Sequence, residues 1–212
     1  ERVSNIFLLN LMNGNVMTIG TLKKKWDMLC SRYEDMFSPA KTVEGFGLLM
    51  KMYQWAQTEQ ICVSAMSVPL MYSINDGDSK IIIRGETSGA LCPKPNHKNK
   101  FELLKLDFSS KLPDQAILNT KIKFTLDWLS LQKQMPDGTE LSGIRIRSVK
   151  YAKDFYTTRG EEDFKRMKES FKSIAKCIDN KLYYPRETVM CSSCDMKLYC
   201  AAWRGPGDGN DK

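Results

Sequence analysis

Three cysteines near the C-terminal end place the tightest constraint on how this chain can fold. They lie in the order Cys191-Ser-Ser-Cys194-Asp-Met-Lys-Leu-Tyr-Cys200. A C-x2-C turn presents two thiolates to one metal ion, and a third thiolate six residues further on adds a third ligand. Zinc and iron–sulfur clusters both accept such thiolates. The spacing therefore predicts that Cys191, Cys194 and Cys200 hold one metal centre.

The fourth ligand of this centre has to come from another part of the protein, because structural zinc and iron–sulfur sites normally have four protein ligands. The candidates are Cys30, Cys92, Cys177, His97 and a cysteine upstream of residue 1. His97 is the only histidine and lies in a Lys-rich polar loop, where a solvated side chain is the simpler expectation. The sequence leaves the fourth ligand open.

Composition indicates an ordinary globular protein that works inside a cell. Of its 212 residues, 42% are hydrophobic and 27% are charged, and no apolar run has the length of a membrane span. No signal peptide is apparent, and the first residues resemble the middle of a longer protein. Seven cysteines, four of them scattered, do not suit an extracellular disulfide framework. We therefore expect a cytoplasmic location and no membrane partner.

Hydrophobic periodicity predicts helices on both sides of a block of strands. Residues 62–108 favour an antiparallel meander, with Asp76-Gly77-Asp78 as a hairpin turn. In the later segment GIRIRSVKY, apolar residues alternate with arginines as they would along a half-exposed strand. The predicted helices begin at Thr21, after Gly45, at Pro113 and near Gly160. This order predicts an α/β fold with a central mixed sheet flanked by helices.

Several segments resemble one nuclease family. The end of the chain, YYPRETVMCSSCDMKLYCAAW, is similar to the C-terminus of RecB-like PD-(D/E)XK nucleases of the AddB and CRISPR-adaptation type. The segments SKIIIRGETSGAL and FELLKLDFSSKLP resemble the two catalytic strands of that family. The resemblance implies a restriction-endonuclease-like core and a [4Fe–4S] cluster at the cysteines, with zinc as the alternative. The implied organisation is an N-terminal helical segment (1–44), a nuclease-like core (45–190), a cysteine segment (191–203) and a disordered tail (204–212).

The catalytic positions that the resemblance assigns are only partly filled. The family binds Mg²⁺ through two carboxylates and uses a lysine to orient the attacking water. Asp107 fills the second acidic position, whereas serines, Ser88 and Ser109, stand at the first acidic position and at the lysine position. Glu86 and either Lys105 or Lys111 are the residues that could replace the missing groups. The Gln-x3-Tyr positions of the family are occupied by Lys123 and Asp127.

These substitutions favour a catalytically inactive domain, in which Asp107, Glu86 and Lys105 mark a former site. We expect a DNA-binding or structural subunit of a replication, repair, recombination or transcription complex, with DNA and other subunits as partners. An active Mg²⁺-dependent nuclease and a zinc-stabilised protein–protein module are the two alternatives. The net charge of +7 suits a polyanion partner, although it also occurs in proteins that bind none. The candidate nucleic-acid-binding residues are Lys121, Lys123, Arg145, Arg147, Lys150 and Lys153.

Overall fold

A computed structural model of the chain describes residues 2–15, 17–34, 38–77, 79–95, 97 and 99–180. The helices are α1 (Arg2–Met12), α2 (Ile19–Arg32), α3 (Pro39–Thr58), α4 (Gln115–Thr120), α5 (Ile122–Gln134) and α6 (Glu161–Asp179). The strands are β1 (Ala65–Met66), β2 (Pro69–Asp76), β3 (Ser79–Glu86), β4 (Ala90–Pro93), β5 (Lys100–Asp107), β6 (Glu140–Ser148) and β7 (Lys153–Thr157). The predicted metal ligands Cys191, Cys194 and Cys200 lie outside the described residues.

Helices α2 and α3 each begin directly after a residue whose side chain caps the helix. Thr18 accepts a hydrogen bond from the N–H of Thr21 at the start of α2. Ser38 caps α3 in the same way, and Pro39 occupies its first turn, where a missing N–H costs nothing. The predicted boundary between residues 44 and 45 therefore falls inside α3. At Gly45 the helix passes so close to Trp26 of α2 that an added Cβ would lie 2.5 Å from the indole ring.

The central sheet is mixed, as predicted. Its strand order is β1-β4-β5-β6-β7, with β5 and β6 parallel and the other neighbours antiparallel. One face packs on α1–α3 through a core that includes Leu104, and the other packs on α4 and α5 through a core that includes Leu103. Strand alternation sends these two adjacent leucines to opposite faces. The fold is therefore α/β, with a mixed five-stranded sheet flanked by helices.

The predicted three-stranded meander over residues 62–108 is wrong in its pairing. The hairpin formed by β2 and β3 is a separate two-stranded sheet, and β3 does not pair with β4. The residues between β3 and β4 explain the break. Thr87 is buried and exchanges hydrogen bonds with the backbone of Val68, which closes the base of the hairpin. Gly89 then turns the chain with φ of +128°, a conformation that disfavours side chains.

The strand predicted for GIRIRSVKY is present as the second half of β6, but its predicted half-exposed character is wrong. Ile144 and Ile146 are buried on one face as expected, but Arg145 on the opposite face is only 8% exposed. Arginine can be buried when carboxylates and aromatic rings surround it. Here α3 and the residue that follows it supply a ring and a carboxylate, and β5 and β7 supply two more carboxylates.

The chain divides into two compact units, residues 1–168 and 169–212. The first holds both sheets and the helices α1–α5. Of the second, the described part is the C-terminal half of α6, where Ile174 and Ile178 are exposed. Within the described ranges, no helix combines the length and apolar character needed to cross a membrane.

Candidate functional site

A cleft of about 500 Å³ opens at the carboxyl end of β5. Its walls come from β5, from the loop that follows, from the segment before β4, and from α1, α4 and the start of α5. The polar and charged residues that line it are Ser4, Asn5, Ser88, Lys105, Asp107, Ser109, Lys111, Asp114 and Lys121. Strand β5 positions two of the predicted catalytic residues here, because Lys105 and Asp107 are two residues apart and so lie on one face.

Lys105 reaches across the cleft wall and is held by three acceptors. Its ammonium donates to the hydroxyl of Ser88 at 2.7 Å, to the carbonyl of Ser88, and to Oδ2 of Asp127 at 2.8 Å. The nitrogen also lies 5.1 Å from the centre of the Phe124 ring. An ammonium has three N–H donors, so all three are used. Burial lowers the pKa of Lys105, and the charge of Asp127 opposes this effect.

Asp127 lies in the middle of α5 and is completely buried. One carboxylate oxygen accepts from Lys105, and the other accepts from Lys123 at 2.7 Å. Lys123 also donates to the carbonyl of Glu86 at 2.9 Å, which ties α5 to the end of β3. Both oxygens of Asp127 are therefore engaged by protein cations. We call Ser88, Lys105, Lys123 and Asp127 the Asp127 cluster.

Asp107 is the predicted catalytic carboxylate that does reach the cleft. Its two oxygens accept hydrogen bonds from Ser109, one from the backbone N–H at 3.3 Å and one from the hydroxyl at 2.8 Å. The second carboxylate of the cleft, Asp114, caps α4 by accepting from the N–H of Ala116 at 2.8 Å. Asp107 is thus held by a neutral partner, and no lysine is paired with it among the described contacts.

The three residues that could replace the missing catalytic groups are Glu86, Lys105 and Lys111, and they differ in whether they line the cleft. Glu86 is exposed at the end of β3 and is not among the residues that line the cleft. Lys111 does line the cleft, and Lys105 lines it with its ammonium committed to Ser88 and Asp127. Mg²⁺ sites in proteins are built from carboxylates that displace part of a tightly bound water shell. Here an ammonium occupies the space between the Ser88 and Asp127 oxygens.

The six predicted nucleic-acid-binding residues do not form one surface. Lys121 and Lys123 flank the start of α5, on the sheet face that contains Ile144 and Ile146. Arg145 and Arg147 point to the opposite face, and Lys150 pairs with Glu44 of α3 at 3.2 Å. Lys153 lies over the ring of Phe155. Of the six, Lys121 is the residue that lines the cleft.

The two arginines belong to a second ion cluster, on the α3 side of the sheet. Arg145 contacts carboxylates of Glu59 and Asp154 at 2.6 Å and of Glu102 at 3.6 Å. Arg147 reaches Asp154 at 3.3 Å. We call these five residues the Arg145 cluster.

Aromatic rings also lie near the Arg145 cluster. The guanidinium of Arg145 lies 5.2 Å from the Trp55 ring and 5.8 Å from the Tyr156 ring. Burial acts against the charge of Arg145, but hydrogen bonds to Asp154 and Glu59 outweigh it and raise the pKa. Burial likewise raises the pKa of Glu102. This cluster cross-links β5, β6 and β7 with Glu59, the residue that follows α3.

The described cysteines do not form a metal site by themselves. Within the described ranges, no group of three or more His, Cys, Asp or Glu side chains could hold a metal ion. Of the candidates for the fourth ligand, Cys92 is buried, and burial raises the pKa of its thiol to about 12. A thiol must lose its proton to bind a metal, so Cys92 is poorly suited to this role. Cys30 is half-buried and Cys177 is exposed.

The pairing of Lys105 with Asp127, which are 22 residues apart, was not predicted from the sequence. One signal could have revealed it. Asp127 is the only charged residue in the run FTLDWLSL, and a carboxylate in the middle of such a helix requires a partner if the helix is buried.

No family model and no curated protein matches the chain. Among solved structures, the crystal structure of SSO0001 aligns with 85% of this chain and 82% of its own, at 12% sequence identity and a TM-score of 0.45.

Proposed function

We propose that this chain is a nuclease-like domain of the PD-(D/E)XK type that binds DNA without cutting it, as a subunit of a nucleic-acid-processing complex. A structural [4Fe–4S] cluster held by Cys191, Cys194 and Cys200 is part of this proposal. The observation that carries it is the ammonium of Lys105, fixed between Ser88 and Asp127 in the cleft that Asp107 also lines.

The position of Lys105 supports an inactive site on electrostatic grounds. A divalent ion held by Asp107 and the oxygens of Ser88 would meet a buried ammonium that already uses those oxygens. Repulsion between like charges rises steeply where water is excluded. Removing Lys105 from its place would also leave Asp127 buried with one partner fewer. Each effect acts against the metal binding that cleavage requires.

The same charges support binding of a phosphate backbone. Lys111 and Lys121 line the cleft beside the ammonium of Lys105, which Ser88 and Asp127 already hold, and the carboxylates of Asp107 and Asp114 line it as well. Asp114 is engaged by a helix N-terminus, which compensates part of its charge. In this proposal, protein cations take the place of the metal, so DNA binding should not require Mg²⁺.

The test is to measure binding and cleavage of the same labelled DNA in Mg²⁺, in Mn²⁺ and in EDTA. We expect equal affinity in the three conditions and no cleavage. Lys121→Ala should weaken binding several-fold and reduce the salt dependence by about one phosphate contact, while Lys24→Ala on α2 should change neither. Robust cleavage that Asp107→Ala abolishes and Asp137→Ala retains would overturn the proposal in favour of an active nuclease.

The metal centre is tested separately by the absorbance of the protein as purified. An iron–sulfur cluster gives a broad absorbance band at about 400 nm, from charge transfer between sulfur and iron. A colourless protein that contains stoichiometric zinc would contradict the cluster and favour the zinc-stabilised alternative.

A further inference from the structure

The β2–β3 hairpin has an outer edge whose backbone groups follow from its register. Asp76 pairs with Ser79 across a two-residue turn. Such a turn closes with backbone hydrogen bonds between these two residues, and bonded pairs then alternate with non-bonded pairs along the ladder. Lys80, Ile82 and Arg84 consequently fall in non-bonded pairs. Their N–H and C=O groups point away from β2.

Contacts elsewhere in the hairpin agree with this alternation. The N–H of Met71, which is opposite Arg84, donates outward to the hydroxyl of Ser130 at 3.2 Å instead of to β3. The carbonyl of Glu86, two residues after Arg84, likewise points outward and accepts from Lys123. Between these points, no described residue bonds to the outward backbone groups of Lys80, Ile82 or Arg84.

The side chains of β3 divide between two faces. The outer face carries the exposed side chains of Lys80, Ile82 and Arg84. Ile82 is 49% exposed. Ile81 and Ile83 are half-buried on the inner face. An eight-residue strand with three consecutive isoleucines and an open edge is a template for further strand pairing.

We propose that a second copy of this chain pairs with this edge, antiparallel, with Ile83 of one copy opposite Ile83 of the other. In that register Lys80 of each copy is opposite Glu86 of the other, which makes two symmetric ion pairs. Ile82 is opposite Arg84, and these residues exchange backbone N–H and C=O bonds. The two Ile83 side chains meet at a non-bonded position, where cross-strand side chains are closest.

Charge selects this register over its neighbour. A pairing centred on Ile82 would also match the outward backbone groups, but it would bring Lys80 against Arg84 twice. Like charges directly opposite each other on two strands are destabilising. An acidic extended peptide from another protein would suit Lys80 and Arg84 and would be repelled by Glu86. The self-complementary order of cation, apolar centre and anion fits a second copy better.

The test is sedimentation equilibrium of the purified full chain from about 1 to 300 μM, a range that reports micromolar association. We expect a monomer–dimer equilibrium. Lys80→Glu should raise the dimer dissociation constant about tenfold, because both symmetric ion pairs become repulsive. Glu86→Lys should do the same. The double variant restores opposite charges and should return to within about threefold of the unmodified chain. Lys24→Glu is the matched control and should leave the constant unchanged.

A proline variant tests the backbone pairing. Ile82→Pro removes an N–H that points outward and leaves the hairpin bonds intact, as edge positions allow. It should be monomeric with an unchanged far-UV circular dichroism spectrum. An unmodified chain that is monomeric at every concentration would overturn the proposal. So would a dimer that is indifferent to both charge reversals or to Ile82→Pro. None of the residues involved lines the cleft, so these results do not depend on the proposed function.

Discussion

Two buried ion clusters lie on opposite faces of the same sheet and differ in their charge balance. The Asp127 cluster has two lysines for one carboxylate. The Arg145 cluster has two arginines for three carboxylates, and the rings of Trp55 and Tyr156 lie near its central guanidinium. The Asp127 cluster contributes Ser88 and Lys105 to the cleft, beside Lys111 and Lys121. The Arg145 cluster, which is rich in carboxylates, cross-links strands β5, β6 and β7 with the residue that follows α3. The Asp127 cluster is therefore part of a candidate binding site, whereas the Arg145 cluster stabilises the fold.

The largest effect should follow from breaking the Arg145 cluster. Arg145→Met keeps much of the side-chain volume and leaves Glu102 and Asp154 buried without their main partner. We expect a loss of about 3–5 kcal/mol in the free energy of unfolding, as for other broken buried ion pairs. Urea denaturation followed by circular dichroism measures it. A loss below about 1 kcal/mol would mean that the cluster is solvated in solution.

Asp127→Asn should cost less, about 2–3 kcal/mol near neutral pH, because Lys105 can lose its proton whereas arginine cannot. The pH dependence follows from the lowered pKa of Lys105. Between its folded pKa and its ordinary value of 10.5, the unfolded chain binds more protons, so stability rises with pH in that window.

Removing the Asp127 charge lowers the pKa of Lys105 further, so the window widens toward lower pH. The stability difference between Asp127→Asn and the unmodified chain should therefore shrink as pH rises from neutral toward 10.5. Urea denaturation at a series of pH values measures this trend. A difference that does not change with pH would show that Lys105 stays charged without Asp127, contrary to the proposed coupling.

The smallest effect should come from Lys123→Ala. The side chain of Lys123 is 42% exposed, so water already screens its interaction with Asp127. We expect a loss of under about 1 kcal/mol, clearly smaller than for Asp127→Asn. Equal losses for the two variants would contradict the view that Lys105 is the main partner of Asp127.

The sequence predicted the fold class and much of the element order, because apolar periodicity and turn residues are local signals. The Asp76-Gly77 turn is one such signal, and the hairpin forms there. Pairing between strands is not local, so the separation of the hairpin from the main sheet was missed. Arginine at alternating positions was interpreted as solvent exposure, since the sequence does not show that α3 brings Trp55 and Glu59 to that face.

The candidate site was likewise predicted only in part. The family resemblance assigned Ser88 and Asp107 to catalytic positions and made Lys105 a possible replacement, and all three residues line one cleft. The sequence did not reveal that Asp127 holds Lys105, because a contact between a strand and a distant helix leaves no periodic pattern. The DNA-binding role, the cluster at the cysteines and the family remain predictions that the experiments above address.

The Lys105–Asp127 pair also limits how this chain can change over evolutionary time. An aspartate introduced at Ser88 would meet the ammonium of Lys105 and form an ion pair with it instead of creating a vacant metal site. Losing Lys105 first would leave Asp127 poorly compensated, and losing Asp127 first would leave Lys105 in the same condition. A metal site at this position would require several substitutions to arise together. Because of this pair, we expect no single mutation to create a metal-dependent activity at this position.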